Sequence, residues 1–153
     1  MDVVNSIAAM RATLSGQTAL AYVTGYYAAN DQGGGLFRWN ANSVAADDGG
    51  SVIATNAFPA VGRYERLFDA SMGEVNALWW GAAGDAAAAT NVAAFQAAID
   101  YASRLAVNGS MRVRIPYSAT GPTYAVNATI TLPAYITLKG DEAVQLVADS
   151  NTF

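Results

Sequence analysis

An amphipathic helix that directly precedes a series of short strands is the feature that most limits how this chain can fold. The apolar residues between positions 92 and 106 fall on one side of such a helix: Val92, Phe95, Ile99, Ala102 and Ala106, with Ala98 and Leu105 beside them. This side needs a surface to cover, and the open end of a solenoid is one, because its first coil has no preceding neighbour. A surface helix on an ordinary α+β domain is the alternative.

The sequence also predicts the polar side and the two ends of this helix. Its other side carries Gln96, Asp100, Ser103 and Arg104. Thr90 or Asn91 is predicted to cap the first turn, and Asp100 is predicted to pair with Arg104 one turn later. Asn108-Gly109 is predicted to stop the helix in a left-handed conformation. Together these signals predict a helix over residues 92–105.

Five short strands separated by turns are predicted after the helix. Apolar and polar residues alternate within 111–115, 123–126, 129–132, 135–139 and 144–146. The separating turns contain Pro116, Gly121-Pro122, Pro133 and Gly140-Asp141. This pattern suits a β-helix or another small β-sheet domain, and spacing alone does not distinguish the two.

Residues 1–73 are predicted to form a small β-rich domain. An apolar stripe predicts a short helix over 6–13, and strands are predicted at 19–24, 36–40, 51–54 and 62–68. Aromatic side chains supply bulk for a core: Tyr22, Tyr26, Tyr27, Phe37, Trp39, Phe58, Tyr64 and Phe68.

Two motifs in this domain have the composition of ligand sites. The glycines at 33–35 run into a strand rather than opening a helix, so we predict a structural turn and not a phosphate-binding loop. Asp47-Asp48 lacks the spacing of an EF-hand, and we predict a solvated turn rather than a calcium site.

Composition excludes several classes of function. The chain has no Cys, which removes disulfides and thiolate metal sites, and no His, which removes the commonest general base and transition-metal ligand. A net charge of -4 with scattered basic residues gives no electrostatic footprint for nucleic acid. No apolar run approaches the roughly 18 residues of a membrane span. We therefore expect no cofactor, no metal, no nucleic-acid partner and no membrane span.

The low content of charged residues also indicates that this chain is part of an assembly. Charged residues make up 13% of the chain, compared with a usual share of about 25%. Much of the surface then lacks solvating groups, which indicates a subunit interface or a place in a larger assembly.

Three motifs carry a family resemblance in the first domain. They are GYYAANDQGGGLFRW at 25–39, DDGGSVI at 47–53 and GRYERLF at 62–68. In this order they resemble the N-terminal particle-binding region of bacteriophage tailspikes and tail fibres. The resemblance implies a homotrimeric attachment module that docks on tail or baseplate proteins of the virion and holds a longer receptor-binding chain.

A second resemblance begins with LWWGAAGD at 78–85 and continues with ITLKG at 136–140. It is similar to the opening of pectate-lyase-like right-handed β-helices, in which an aromatic-Gly-Ala-x-Gly-Asp element leads into a capping helix. The chain departs from that pattern after Asp85, where alanines replace a short Asp- and Thr-rich turn. The strands leave room for one or two coils, and about three repeats are usually needed for stability. We therefore expect this sequence to be the front part of a longer spike.

The predicted fold is mainly β, with a virion-binding domain at 1–73 and, at 74–153, a linker, a capping helix and the first coils of a right-handed parallel β-helix. Val92, Phe95, Ile99 and Ala102 form the predicted core face of the capping helix. The predicted function is structural attachment of a tailspike or tail fibre. The resemblance places the protein in the virion tail after synthesis in the host cytoplasm.

Two other functions stay open. The first is a fragment of a capsule or lipopolysaccharide depolymerase with residual sugar binding or cleavage. Glycosidases need two carboxylates about 5–10 Å apart, but turn and surface roles explain each candidate: Asp69, Glu74, Asp85, Asp100, Asp141, Glu142 and Asp149. In the resembled family, sugar cleavage and the contact with host polysaccharide lie further along the β-helix. We therefore predict that this chain is not an enzyme. The second alternative is a carbohydrate-binding module that uses Tyr26, Tyr27 and Trp39.

Overall fold

The computed structural model describes residues 1–16, 18–106 and 109–149. The chain divides into two compact units, Met1–Phe68 and Asp69–Phe153. Within the described ranges the fold is mainly β, with two α-helices and three small sheets.

The first unit is built on a five-stranded sheet. Its strands, in spatial order, are β1 (Asp2–Val4), β2 (Leu20–Val23), β3 (Gly35–Asn40), β5 (Arg63–Arg66) and β4 (Val52–Ile53). β1 runs parallel to β2, and the other neighbours are antiparallel. The four strands predicted between residues 19 and 68 are therefore present. β1 was not predicted, because it has three residues and depends on a partner that is distant in sequence.

Helix α1 (Ile7–Thr13) covers one face of this sheet. Ser6 caps it, since its Oγ accepts a hydrogen bond from the Ala9 N–H at 3.1 Å. The apolar stripe of α1 joins the sheet in one buried cluster: Ile7, Met10, Leu14, Ala21, Val23, Phe37, Ile53 and Tyr64. The predicted helix over 6–13 is confirmed.

Two buried arginines on β5 hold the loops of the first unit. Arg63 donates to the carbonyl oxygens of Ala45 at 2.8 Å and Gly62 at 2.8 Å, and longer bonds reach three carbonyls in 58–60. Arg66 donates to the carbonyls of Gly50 at 2.9 Å and Gly34 at 2.6 Å. A buried guanidinium is costly without partners, and these backbone oxygens supply them.

The second unit combines one long helix with parallel strands. Strands β6 (Glu74–Asn76), β7 (Met111–Ile115) and β9 (Ile136–Gly140) form one sheet, and β8 (Thr123–Val126) and β10 (Gln145–Ala148) form another. Within the described residues, the strand pairings in these two sheets are parallel. Short 3-10 turns lie at Ala70–Met72 and Ala77–Trp80. The described strands thus form two small parallel sheets rather than a complete β-helix.

Helix α2 (Ala88–Leu105) starts earlier than predicted and lacks the predicted cap. It has no side-chain hydrogen bond at its N-cap, Ala87, so capping by Thr90 or Asn91 is wrong. Alanine has the highest helix propensity, and the helix therefore extends back into the alanine run. The end at Leu105 agrees with the prediction, whereas Asn108 of the predicted stop signal lies outside the described residues. On the polar side, Gln96 donates to Asp100 at 2.9 Å, and the Arg104 guanidinium lies 5.5 Å from the Tyr101 ring centre.

The predicted strand at 129–132 is wrong. Its backbone groups bind a helix side chain instead of a neighbouring strand: the Thr131 N–H donates to Gln96 Oε1 at 2.9 Å, and Gln96 Nε2 donates to the Thr131 carbonyl at 3.3 Å. Strands are present at or near the other four predicted positions, although the last one begins at Gln145.

Candidate functional site

The three predicted contact aromatics have different environments. Trp39 packs against the first unit's core, with its ring centre 5.0 Å from that of Tyr64 and 5.4 Å from that of Phe58. Tyr26 is half-buried against the same core, and burial raises the pKa of its hydroxyl. Tyr27 is exposed, and its ring lies edge-on to that of Tyr26 at 4.8 Å. Trp39 therefore serves mainly as a structural residue.

Asp31 organises the loop that contains these tyrosines. Its carboxylate accepts hydrogen bonds from the backbone N–H groups of Tyr26 and Tyr27 at 2.7 Å, Ala28 at 3.1 Å and Gly33 at 2.9 Å. Asn30 and Gln32 on either side both have φ of 69°, a left-handed conformation that non-glycine residues seldom adopt. The loop around the glycines is a structural turn, as predicted.

An uncharged depression of about 350 Å³ lies beside this loop, lined by Tyr22, Thr24, Asn30, Gln32, Gly34 and Gly35. Its hydroxyl and carboxamide groups can both donate and accept hydrogen bonds. The depression therefore suits a neutral polar group, such as an amide or a sugar hydroxyl. Sequence analysis missed this depression because it assigned Tyr22 to the core, whereas Tyr22 is 43% exposed.

The face of the sheet opposite α1 carries a row of apolar side chains, and we call it the outer face. Tyr22 pairs in register with Val3 on one side and Leu36 on the other, and the Leu67 N–H donates to the Leu36 carbonyl at 2.8 Å. Residues directly opposite each other lie on the same side of a sheet. Val3, Tyr22 and Leu67 are 61%, 43% and 42% exposed. This row crosses β1, β2 and β3 and reaches Leu67, one residue beyond β5, and sequence inspection missed it.

The predicted core face of α2 lies against the strands of the second unit. Phe95, Ile99 and Ala102 are fully buried, while Val92 is half-buried at the edge. The Phe95 ring centre lies 5.6 Å from that of Tyr124 on β8. This face is thus part of the core and not a free surface.

Three of the acidic side chains considered as catalytic candidates have structural partners: Asp69, Glu74 and Asp141. Arg114 binds Asp141 through two bonds of 2.8 and 2.6 Å, and this hydrogen bonding lowers the pKa of Asp141. Arg112 pairs with Glu74 at 3.2 Å across β6 and β7. Asp69 caps a 3-10 turn through the Ser71 N–H at 2.9 Å. These bonds explain their positions without a reaction.

In the Asp47-Asp48 turn, the carboxylates accept hydrogen bonds from donors of the chain and are not arranged to bind calcium. Asp47 pairs with Arg11 and accepts from the N–H groups of Gly49 and Ala54 at 2.9 Å. Burial alone would raise the pKa of Asp47, but the bonds from Arg11 and the backbone lower it by more. Asp48 accepts from three backbone N–H groups at 50–52. In the part of the chain that the structure describes, no group of three or more acidic side chains is placed to hold a metal ion.

Comparison with known proteins finds a family that the first unit is similar to. Residues 3–69 match the family described as the phage tail protein small four-stranded β-sheet domain. No curated protein sequence matches the chain. The predicted resemblance to the N-terminal region of phage tailspikes is confirmed. For the described residues, no helix is both long and apolar enough to cross a membrane.

Solved structures with a similar fold include phage tailspikes. A tailspike gp49 of Acinetobacter baumannii bacteriophage Fri1, a capsular polysaccharide depolymerase, matches with a TM-score of 0.72 and 23% identity over 92% of this chain and 23% of its own. The tailspike of Acinetobacter phage vB_ApiP_P1 matches with a TM-score of 0.70 and 26% identity over 96% of this chain and 24% of its own. The enzymatically active domain of tailspike protein 4 of bacteriophage CBA120 matches at 0.66 and 14% identity over 100% of this chain and 19% of its own. The chain thus spans less than a quarter of the length of these tailspikes.

Proposed function

Because residues 3–69 carry the small β-sheet domain of phage tail proteins, we propose that this chain is the structural attachment module of a tailspike or tail fibre. In this proposal it anchors a homotrimeric, receptor-binding or polysaccharide-degrading spike to tail or baseplate proteins of the virion. The family match carries the proposal. The fold likeness to the two Acinetobacter phage tailspikes, over 92% and 96% of the chain, supports it.

We further propose that residues 1–73 bind the virion and that residues 74–153 begin a right-handed, pectate-lyase-like parallel β-helix. Support comes from the parallel register of β6, β7 and β9 and from the buried side of α2, which suits a capping helix. Several apolar side chains remain exposed around β9 and β10: Leu132, Tyr135, Leu146 and Val147. A following coil would cover them.

The Fri1 tailspike is described as a capsular polysaccharide depolymerase. By analogy, we propose that a part of the parent spike beyond this chain binds host surface polysaccharide. Where the spike is an enzyme, the same part would cleave the polysaccharide. Glu74 and Asp141 of the second unit form ion pairs and Asp69 caps a turn, which agrees with a supporting role for this segment.

The test is retention of the purified chain on phage tails or baseplates that lack their spikes. Labelled chain should sediment with these particles and be displaced by excess unlabelled chain. Light scattering of the free chain should give three times the monomer mass. Capsular polysaccharide is the matched control ligand. Binding to polysaccharide without retention on tails, or release of oligosaccharide, would contradict a structural attachment role.

A further inference from the structure

We propose that the uncharged depression beside the Asp31 loop, together with the adjoining apolar row of the outer face, is the surface that binds a tail or baseplate protein of the virion. The inferred partner presents a protruding, uncharged segment, with a carboxamide or hydroxyl side chain for the depression and an apolar side chain for the row. The inference rests on the proposed attachment function, to which it adds the position and chemistry of the contact.

Tyr22 connects the depression with the apolar row. It lines the depression together with Thr24, and its register partners Val3 and Leu36 belong to the row. The two features are therefore one continuous surface, apolar along the row and polar at its end. Protein-binding surfaces have this anatomy, in which an apolar centre is bordered by a polar rim and tyrosine is enriched.

The composition of the depression favours a protein as its ligand. Its lining consists of one Tyr, one Thr, one Asn, one Gln and two Gly residues. Antibody paratopes use the same combination, because Tyr supplies rigid contact area while small and carboxamide residues supply adaptable hydrogen bonds. A sugar would find hydrogen-bonding side chains in the depression but none along the apolar row, so it would leave the row uncovered.

The lack of charge on these lining and row residues limits the partner's chemistry. A charged side chain in the depression would lose its water without meeting an opposite charge among the lining residues. A neutral carboxamide or hydroxyl can pair with Thr24 and Asn30, whose side chains both donate and accept hydrogen bonds. The same face of a second copy would bring another depression, so that two concave surfaces would meet and neither would be filled.

The depression offers side chains rather than unpaired backbone groups. The Thr24 N–H donates to the Val4 carbonyl at 2.9 Å, and the Asn30 N–H donates to the Thr24 carbonyl at 3.0 Å. Arg66 donates to the Gly34 carbonyl at 2.6 Å. Docking by strand addition needs a row of unpaired backbone groups. Recognition at this site is therefore assigned to the side chains.

The backbone at Asn30 and Gln32 gives an independent argument. Both residues have φ of 69°, a conformation that glycine adopts at lower cost. The Asp31 carboxylate between them binds four backbone N–H groups and so fixes the loop. The loop's shape thus requires left-handed residues at these positions but not carboxamides. Residues held in such conformations cluster at binding sites, and a fixed loop loses little entropy when a partner binds.

Glycine substitution separates the carboxamides from the fold. Asn30→Gly and Gln32→Gly remove one carboxamide each and keep the left-handed backbone. Each should weaken binding of labelled chain to spike-free tails about fivefold, as expected for the loss of a hydrogen bond. Asn42→Gly removes an exposed carboxamide from another loop and should leave binding unchanged. Circular dichroism checks that each variant is folded.

Truncation of Tyr22 tests the centre of the surface. Tyr22→Ala should weaken binding to tails about thirtyfold, because a tyrosine at the centre of an interface contributes strongly to affinity. Tyr135→Ala is the matched control, since Tyr135 is 50% exposed and lies in the second unit. Equal tail binding by wild type, Tyr22→Ala and both glycine variants would overturn the inference.

Photocrosslinking gives an independent measurement, because the chain has no cysteine. Val3→Cys, at a position of the row that is 61% exposed, can be labelled with a benzophenone maleimide. Illumination on purified tails should join it to a tail protein, whereas labelled Asn42→Cys should give no such adduct. Adducts formed only between copies of this chain would overturn the inference.

Maltotriose, a neutral oligosaccharide, tests whether the depression binds sugar instead. Saturable shifts of the Tyr22 and Thr24 amide signals in nuclear magnetic resonance, with tail binding unaffected by Tyr22→Ala, would overturn the inference. If tails retain wild type and all variants equally, the proposed function stands and only this surface is wrong. A chain that tails do not retain contradicts both proposals.

Discussion

The side-chain amide of Asn91 donates a hydrogen bond to the backbone carbonyl of Ala125 at 3.1 Å, which ties α2 to strand β8. The same side chain accepts from the Ala83 N–H at 3.0 Å, and no part of Asn91 is exposed. One polar residue therefore joins the helix, the segment before it and the strand beneath it.

Asn91→Ala should lower the free energy of unfolding by about 2–3 kcal/mol, because the buried Ala83 N–H and the partly buried Ala125 carbonyl both lose this partner. Thr90→Ala, an exposed change in the same helical turn, should alter it by less than about 0.5 kcal/mol. Urea denaturation followed by circular dichroism measures both. Equal effects of the two changes would show that the Asn91 bonds contribute nothing specific.

Gly62→Ala should destabilise the first unit by about 2–4 kcal/mol, because overpacking and a left-handed conformation both add cost. The φ of Gly62 is 94°, and an added Cβ would lie 2.4 Å from the Trp39 ring. Gly109→Ala is the matched control, since its added Cβ would meet nothing within 4 Å. A thermal melt of Gly62→Ala that equals wild type would contradict the packing of Trp39 described above.

Asp31→Ala should cost about 3 kcal/mol, since four backbone N–H groups lose a charged acceptor. Hydrogen exchange of the amides at 26–28 and Gly33 should accelerate in this variant. Asp85→Ala, at an exposed position, serves as control. Unchanged exchange at these four amides would show that the carboxylate does not order the loop.

Acid should weaken the turn at Asp47. The pKa of Asp47 is lowered in the folded protein. Ionised Asp47 therefore stabilises the fold fully above its unfolded pKa of about 3.9, and this stabilisation is lost as pH falls through the folded pKa. This contribution is about 1 kcal/mol. The free energy of unfolding should be measured at pH 7 and at pH 3. Between these two values, Asp47→Asn and Arg11→Met should both lose less stability than wild type. A loss as large as that of wild type would exclude the Arg11 pair as its cause.

Local patterns predicted most of the first unit and the buried side of α2. Ser6 and the stripe of Ile7 and Met10 placed α1, because capping and helical spacing are properties of neighbouring residues. Phe95 and Ile99 were placed correctly in the core for the same reason.

The errors concern residues whose partners are distant in sequence. Asn91 looked like a cap but is buried under contacts with Ala83 and Ala125. Thr131 looked like a strand residue, but Gln96 binds both of its backbone groups. The outer face was missed because it exists only once strands β1, β2 and β3 are in register.

The two arginines of β5 bind the loops of the first unit through main-chain oxygens. Every residue type carries such an oxygen, so the anchor does not depend on which side chains the loops display. Loop sequences at 44–46 and 57–60 can consequently diversify while their backbone path is retained. The side chains that these loops present to solvent can therefore change while the sheet and the two arginine anchors beneath them stay the same.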